Sequence, residues 1–190
     1  MSQFRVLGID PSLNNWGMAN GLYDSNSGQI DIENLELIQP VVPKGKQVRQ
    51  NSKDLAAAEQ LFRGTLDLVE SIKPQAIFVE VPHGSQNARS MVSYGICAGV
   101  LASLRATGTP FFELTATEVK VHAIGDKKAT KQQMIDWAQS KHPAAPWPHY
   151  KQNGQQVLST AKAEHLADAI ATIHAGVESQ AFRQLTLLAA

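Results

Sequence analysis

A single cysteine, Cys97, occurs in the 190 residues. That excludes an intrachain disulfide and a zinc cluster of the multi-cysteine type. Cys97 lies in an apolar stretch, where a lone thiol serves as a small core residue. A surplus of one charge is missing too: 17 Lys and Arg balance 17 Asp and Glu. Nucleic-acid binding through a general basic surface is disfavoured, so any such role rests on local clusters of Lys and Arg. No apolar run is long enough to span a bilayer, and the N-terminus has no basic apolar leader. The expectation is a cytoplasmic protein without membrane contact. Internal repeats and low-complexity tracts are absent as well. The composition that remains, 43% hydrophobic and 18% charged, is that of a globular chain with one sizeable core.

The stretch Leu7-Gly8-Ile9-Asp10-Pro11-Ser12 organises the reading. An apolar run from Phe4 to Ile9 ends on a carboxylate and is broken by proline, so a strand delivers Asp10 at its own end. Trp16 to Tyr23 alternates as a second strand, with Gly17, Ala19 and Gly21 on one face and Trp16, Met18 and Leu22 on the other. Asp24 to Gly28 reads as a hairpin turn, and Gln29 to Ile38 as a third strand. A polar loop with Lys44, Lys46, Arg49 and Lys53 follows. Ser52 is the expected N-cap of a helix of about five turns with an apolar face of Leu55, Leu61, Phe62, Leu68, Val69 and Ile72. Lys73-Pro74 ends it, and Ala76 to Val79 then delivers Glu80.

Asn87 or Ser90 opens a helix to about Thr107, rich in glycine and alanine. Packing on the sheet is its first reading, and its wide apolar coverage leaves room for a dimer interface. Thr109 to Leu114 is a further strand. Thr115 caps a helix through Val121, and Thr130 caps another behind the basic loop Gly125 to Lys131. Residues 141–158, with Pro143, Pro146 and Pro148, read as an irregular insertion. Ser159 or Thr160 caps the last clear helix, to about Ala175. Residues 179–190 are a tail that frays or docks through Leu185, Leu187 and Leu188. The order predicts an α/β fold with one mixed sheet and places the main domain at 1–178.

Acidic groups on rigid elements suit a hard divalent cation, whose oxygen ligands must converge. Asp10 and Glu80 end strands. Asp168 lies one helical turn after His165 and shares its face. Glu164 is also one turn from Asp168, so either Glu164 or His165 is the inner group of that pair. Lys120, Lys127, Lys128 and Lys131 are candidates for backbone phosphates, their bland alternative being a solubilising loop. Gln86 and Arg89 follow the Glu80 strand; Arg89 either faces the reaction site or makes a local ion pair. Trp147, His149 and Tyr150 either stack on bases or pin the insertion.

Four segments together resemble the RuvC-type Holliday junction resolvases. They are Gly8-Ile9-Asp10-Pro11, Phe78-Val79-Glu80, Glu118-Val119-Lys120 with Gly125 and Lys131, and Glu164-His165-Leu166-Ala167-Asp168-Ala169. They occur in the family's order, with matched spacing inside them, over roughly residues 4–175. The resemblance implies an RNase H-like fold with a mixed five-stranded sheet and helices on both faces. It implies a homodimer that nicks opposing strands of four-way DNA junctions with Mg²⁺ or Mn²⁺, two ions per site. Asp10, Glu80, His165 and Asp168 would be the catalytic and metal-binding set. The chain departs from the family pattern at Ser12, where glycine is common. It departs again at His83, where bacterial members often carry an aromatic wedge, so His83 is a candidate DNA contact. His165 stands where some members have aspartate, and the 141–158 insertion has no counterpart. These departures suit a phage-encoded relative. Competing readings are a nuclease for flaps, forks or RNA–DNA hybrids, and a catalytically dead branched-DNA-binding module. An actin-like ATPase would need a duplicated domain and a glycine-rich phosphate loop, for which this chain has no room.

Overall fold

The computed structural model describes residues 3–45 and 47–188, with the backbone alone for Leu188. Lys46 of the basic loop and the side chain of Leu188 therefore lie outside the described residues. The chain opens with the antiparallel strands β1 (Gln3–Asp10), β2 (Trp16–Asp24) and β3 (Ile30–Ile38). Helix α1 (Gln50–Ile72) crosses to β4 (Ala76–Glu80), and α2 (Ala88–Arg105) crosses to β5 (Phe111–Leu114). Both crossovers add parallel strands, giving one five-stranded mixed sheet in the order β3-β2-β1-β4-β5. Helices α3 (Ala116–Ile124) and α4 (Lys131–Lys141) follow, then a separate hairpin of β6 (His149–Gln152) and β7 (Gln155–Leu158). Helices α5 (Thr160–Val177) and α6 (Gln180–Leu188) close the chain.

Strand alternation splits the core between the two faces of the sheet. Leu7, Ile9, Trp16, Met18, Ile77 and Val79 pack with Leu61 of α1 and Leu104 of α2. Val6, Ala19, Ala76 and Phe78 face the other way, against α5 and its neighbours. Helix α5 is buried over most of its surface, as its alanine-rich run allows. Two glycines set how close it comes. A Cβ at Gly8 would collide with the carbonyl oxygen of Ala169, and one at Gly17 with that of His165. The small-residue face expected of β2 is thus the bed of α5.

Several local expectations change. Helix α1 starts at Gln50 with Arg49 as the flanking residue and no side-chain cap, so Ser52 lies inside it. The Gln50 amide donates to Asp54, which is buried, and this anchors an additional first turn. The buried stripe of α1 is Ala57, Leu61, Thr65 and Val69 at spacing four, which leaves Leu55 72% exposed. Helix α3 continues past Val121 to Ile124, and its αL terminus falls on Gly125 at φ 80°. Ser159 flanks α5 without a side-chain capping bond. Residues 149–158 form an ordered hairpin within the insertion, turning on Asn153 and Gly154, both at positive φ. Trp147 is buried and donates its indole N–H to the His142 carbonyl, so it pins the segment and is removed from base stacking. The tail docks chiefly through Phe182, whose ring meets those of Phe4, Phe78 and Phe112 at 5.1–5.8 Å. Leu185 packs partly beside it, while Leu187 is exposed.

Candidate active site

Strands β1 and β4 run parallel, and their last paired residues are Ile9 and Val79. One step further along each strand stand Asp10 and Glu80. They share the side-chain parity of Gly8 and Phe78, so both carboxylates emerge side by side toward α5. The proline after Asp10 ends the ladder there. Because Gly17 pairs with Asp10 across β1 and β2, the close approach of α5 at Gly17 brings His165 to Asp10. His165 Nδ1 lies 2.7 Å from Asp10 Oδ2. Asp168 is one turn further along the same helix face, and its Oδ1 is buried without a hydrogen-bond partner. An open cleft of about 430 Å³ lies over this cluster, lined by Asp10, Glu80, His83, Tyr94 and Thr117 among others.

The electrostatics follow from crowding carboxylates away from water. Burial first, then the Asp10 charge, pushes Glu80 up to about 7, with Lys120 opposing. Burial raises Asp168 well above the usual carboxylate range, reinforced by Asp10, Glu80 and Glu164. Asp10 is raised by burial even though its bond to His165 pulls the other way. Burial lowers His165, but the Asp10 hydrogen bond and charge outweigh it and leave the imidazole raised. Among the described residues, no three such side chains stand in metal-ligating geometry as they are. The donor set still fits a hard divalent cation. All three carboxylates carry raised affinities for positive charge, and an Asp168 oxygen is orphaned beside them.

The basic candidates divide. Lys120, on α3, lies close enough for its charge to lower both Glu80 and Asp168. Lys131 makes a 2.6 Å ion pair with Glu164, so Glu164 is engaged there while His165 contacts Asp10. Lys127 and Lys128 are exposed on the loop before α4, and Gln86 is exposed after β4. His83 lines the cleft. Arg89 takes the second of its two readings: both terminal guanidinium nitrogens, Nη1 and Nη2, donate at 2.6 Å to Asp54, tying α1 to the start of α2. Sequence reasoning missed Tyr94 and Thr117 as cleft residues. Tyr94 stands three before the buried Cys97, and that spacing could have pointed it inward. Thr117 carried no signal.

A family model described as crossover junction endodeoxyribonuclease RuvC matches residues 6–140. This chain belongs to the RuvC family. The crossover junction endodeoxyribonuclease RuvC of Geotalea uraniireducens (strain Rf4) is 34% identical over 137 residues, 68% of this chain and 71% of that protein. Thermus thermophilus RuvC in complex with a Holliday junction substrate superposes with a TM-score of 0.64 at 18% identity, covering 96% of both chains. The yeast mitochondrial Holliday junction resolvase superposes at 0.56 and 15% identity, over 98% of this chain and 86% of that one. The RuvC fold is therefore the RNase H-like arrangement expected from the sequence, and the enzyme class is crossover junction endodeoxyribonuclease. The RuvC model spans Asp10, Glu80, Lys120 and Lys131 and stops before His165, which the fold brings to Asp10, and Asp168, which it brings within reach of the Asp10 and Glu80 charges.

Proposed function

We propose that this RuvC-family enzyme resolves four-way DNA junctions by paired, metal-dependent nicking of opposing strands, as a homodimer. The observation that carries the site assignment is the clustering of Asp10, Glu80 and Asp168 close enough for their charges to act on one another, with an Asp168 oxygen buried and unpartnered. These carboxylates, with His165, would hold Mg²⁺ or Mn²⁺. Bound there, such ions would supply an activated water and stabilise the leaving oxygen. His165 orients Asp10 through Nδ1 and keeps its other ring nitrogen for a ligand or a proton. Lys120 and Lys131 flank the cluster and meet the scissile strand's phosphates, with Lys127 and Lys128 further out. His83 at the cleft edge and Gln86 beyond it face the junction.

The homodimer is supported by the face of α1 and α2 that the sheet does not cover. Leu55 is 72% and Val92 50% exposed there, beside Met91, and Gly95 and Gly99 have open space above them. Two sites related by a two-fold axis would meet two opposing strands of a junction.

The test is a nicking assay with Mg²⁺ on an immobile four-way junction, a flap, a fork, linear duplex and RNA–DNA hybrid. Wild type should make paired, symmetric nicks in the junction and fail in chelator. Asp10→Asn should lose cutting by about 10³-fold or more while retaining junction binding. Preferential cutting of flaps or hybrids would keep the site and reject the substrate. Normal cutting by Asp10→Asn would reject the metal-site assignment.

A further inference from the structure

The β6–β7 hairpin lies outside the residues matched by the family model and is paired to no strand of the main sheet. All four residues of β6 are exposed, as are Gln155 and Gln156 of β7, so a ribbon stands free on both faces beyond its base. An isolated two-strand ribbon is marginal in water, yet this one is rooted firmly. Trp147 is buried at its base, Ser159 N–H donates to the Pro148 carbonyl at 2.8 Å, and His149 Nδ1 donates to the Trp147 carbonyl at 2.8 Å.

Charge says what the ribbon faces. In a chain of zero net charge, no Asp or Glu occurs between Asp136 and Glu164. The same segment carries Lys141, Lys151 and Lys162, all exposed. Lys151 lies opposite Gln156, and Gln152 opposite Gln155, so the outer half of the ribbon presents a cation and a set of amide donors and acceptors. A ribbon of this width enters a DNA major groove, and its backbone and amides reach phosphates and base edges.

Position says where. The hairpin leads directly into α5, and His165 is six residues past Ser159, about 9 Å along the helix axis. Strands of four residues extend about 13 Å from that base.

We infer that the β6–β7 hairpin is a second DNA-contact element, which grips the duplex arm beside the strand held in the active-site cleft, with Lys151 on its phosphates. The inference rests on the proposed action on branched DNA. Its test is the binding of the full chain to a fluorescent four-way junction with long duplex arms, followed by anisotropy from 50 to 200 mM salt. Lys151→Ala should weaken binding about 3- to 10-fold and reduce the slope of log K against log salt by about 1. Lys151→Glu should weaken it further, and Lys151→Arg should restore both quantities. The melting temperature should be unchanged in all three, because the side chain is exposed. Wild-type-like affinity and salt slope in Lys151→Glu would overturn the hairpin contact and leave the nuclease reading intact. Failure of the wild type to bind the junction would overturn both.

Discussion

Glu80 shows what this site asks of a single side chain. Its carboxyl is pushed up to about 7 by burial and by Asp10, against about 4.5 in an unfolded chain. The native state therefore holds a proton that the unfolded chain has released between those values, and above 7 the folded protein carries a charge it disfavours. Glu80→Gln removes that charge while keeping the shape. The variant should gain about 1–3 kcal/mol at pH 8, read as a higher denaturation midpoint in metal-free buffer. The gain should shrink as pH falls through 7 and vanish near 4.5, where both states are protonated. Cutting should be lost. Unchanged or reduced stability at pH 8 would show that the carboxylates do not repel as argued. The tension between a stable fold and a charged cleft is common in active sites, and here a bound cation would relieve it.

At the scale of elements, the site depends on how closely α5 lies on the sheet. Gly17 has no room for a methyl group, since the His165 carbonyl occupies that space. Gly17→Ala should cost about 1–3 kcal/mol of stability by overpacking and also displace His165 from Asp10. Denaturant melts should show the first effect, and a fall in cutting larger than the fall in junction binding the second. Wild-type cutting by this variant would mean that the helix position is not what aligns the site. The strand-ending carboxylates were legible from residue order, because proline and parity together define a strand end. The first turn of α1 was not, because it rests on the burial of Asp54 and its ion pair with Arg89, 35 residues away. The hairpin was hidden for a related reason. Its alternation is polar on both faces, so periodicity carried no signal until the strands were seen paired.

For the whole molecule, acid should act through the face that α3, α4 and α5 build. His142, at the end of α4, and His174, on α5, meet at 2.7 Å between their Nε2 atoms, with Trp137 against the His174 ring. Burial first, then the neighbouring histidines and Lys141, lowers His174 to about 3, and burial lowers His142 also. The unfolded chain binds these protons near 6.5 and the folded chain resists them. Stability from this pair is full above about 6.5 and is lost as pH falls below it. In histidine titrations followed by NMR, His174 should stay neutral between pH 8 and 5. His174→Gln should lose less stability than wild type between pH 7 and 5. A normal titration of His174 near 6.5 would contradict this account.

The sequence by itself determined the order of the main-sheet strands and the helices between them, the mixed sheet, the strand-end placement of Asp10 and Glu80, and the helical spacing of His165 and Asp168. These are local properties, set by side-chain period, by proline and by turn chemistry. It also determined the family, because four short motifs keep their order and spacing. Only the tertiary structure decided which partners those groups meet: His165 with Asp10, Lys131 with Glu164, and Arg89 with Asp54. Each pair joins residues at least 33 positions apart, so no local period encodes it. The structure alone decided that Phe182 completes the core and that Leu55 stays outside it. Burial on that scale depends on which faces are brought together: α5 and Phe182 pack on one face of the sheet, α1 and α2 on the other.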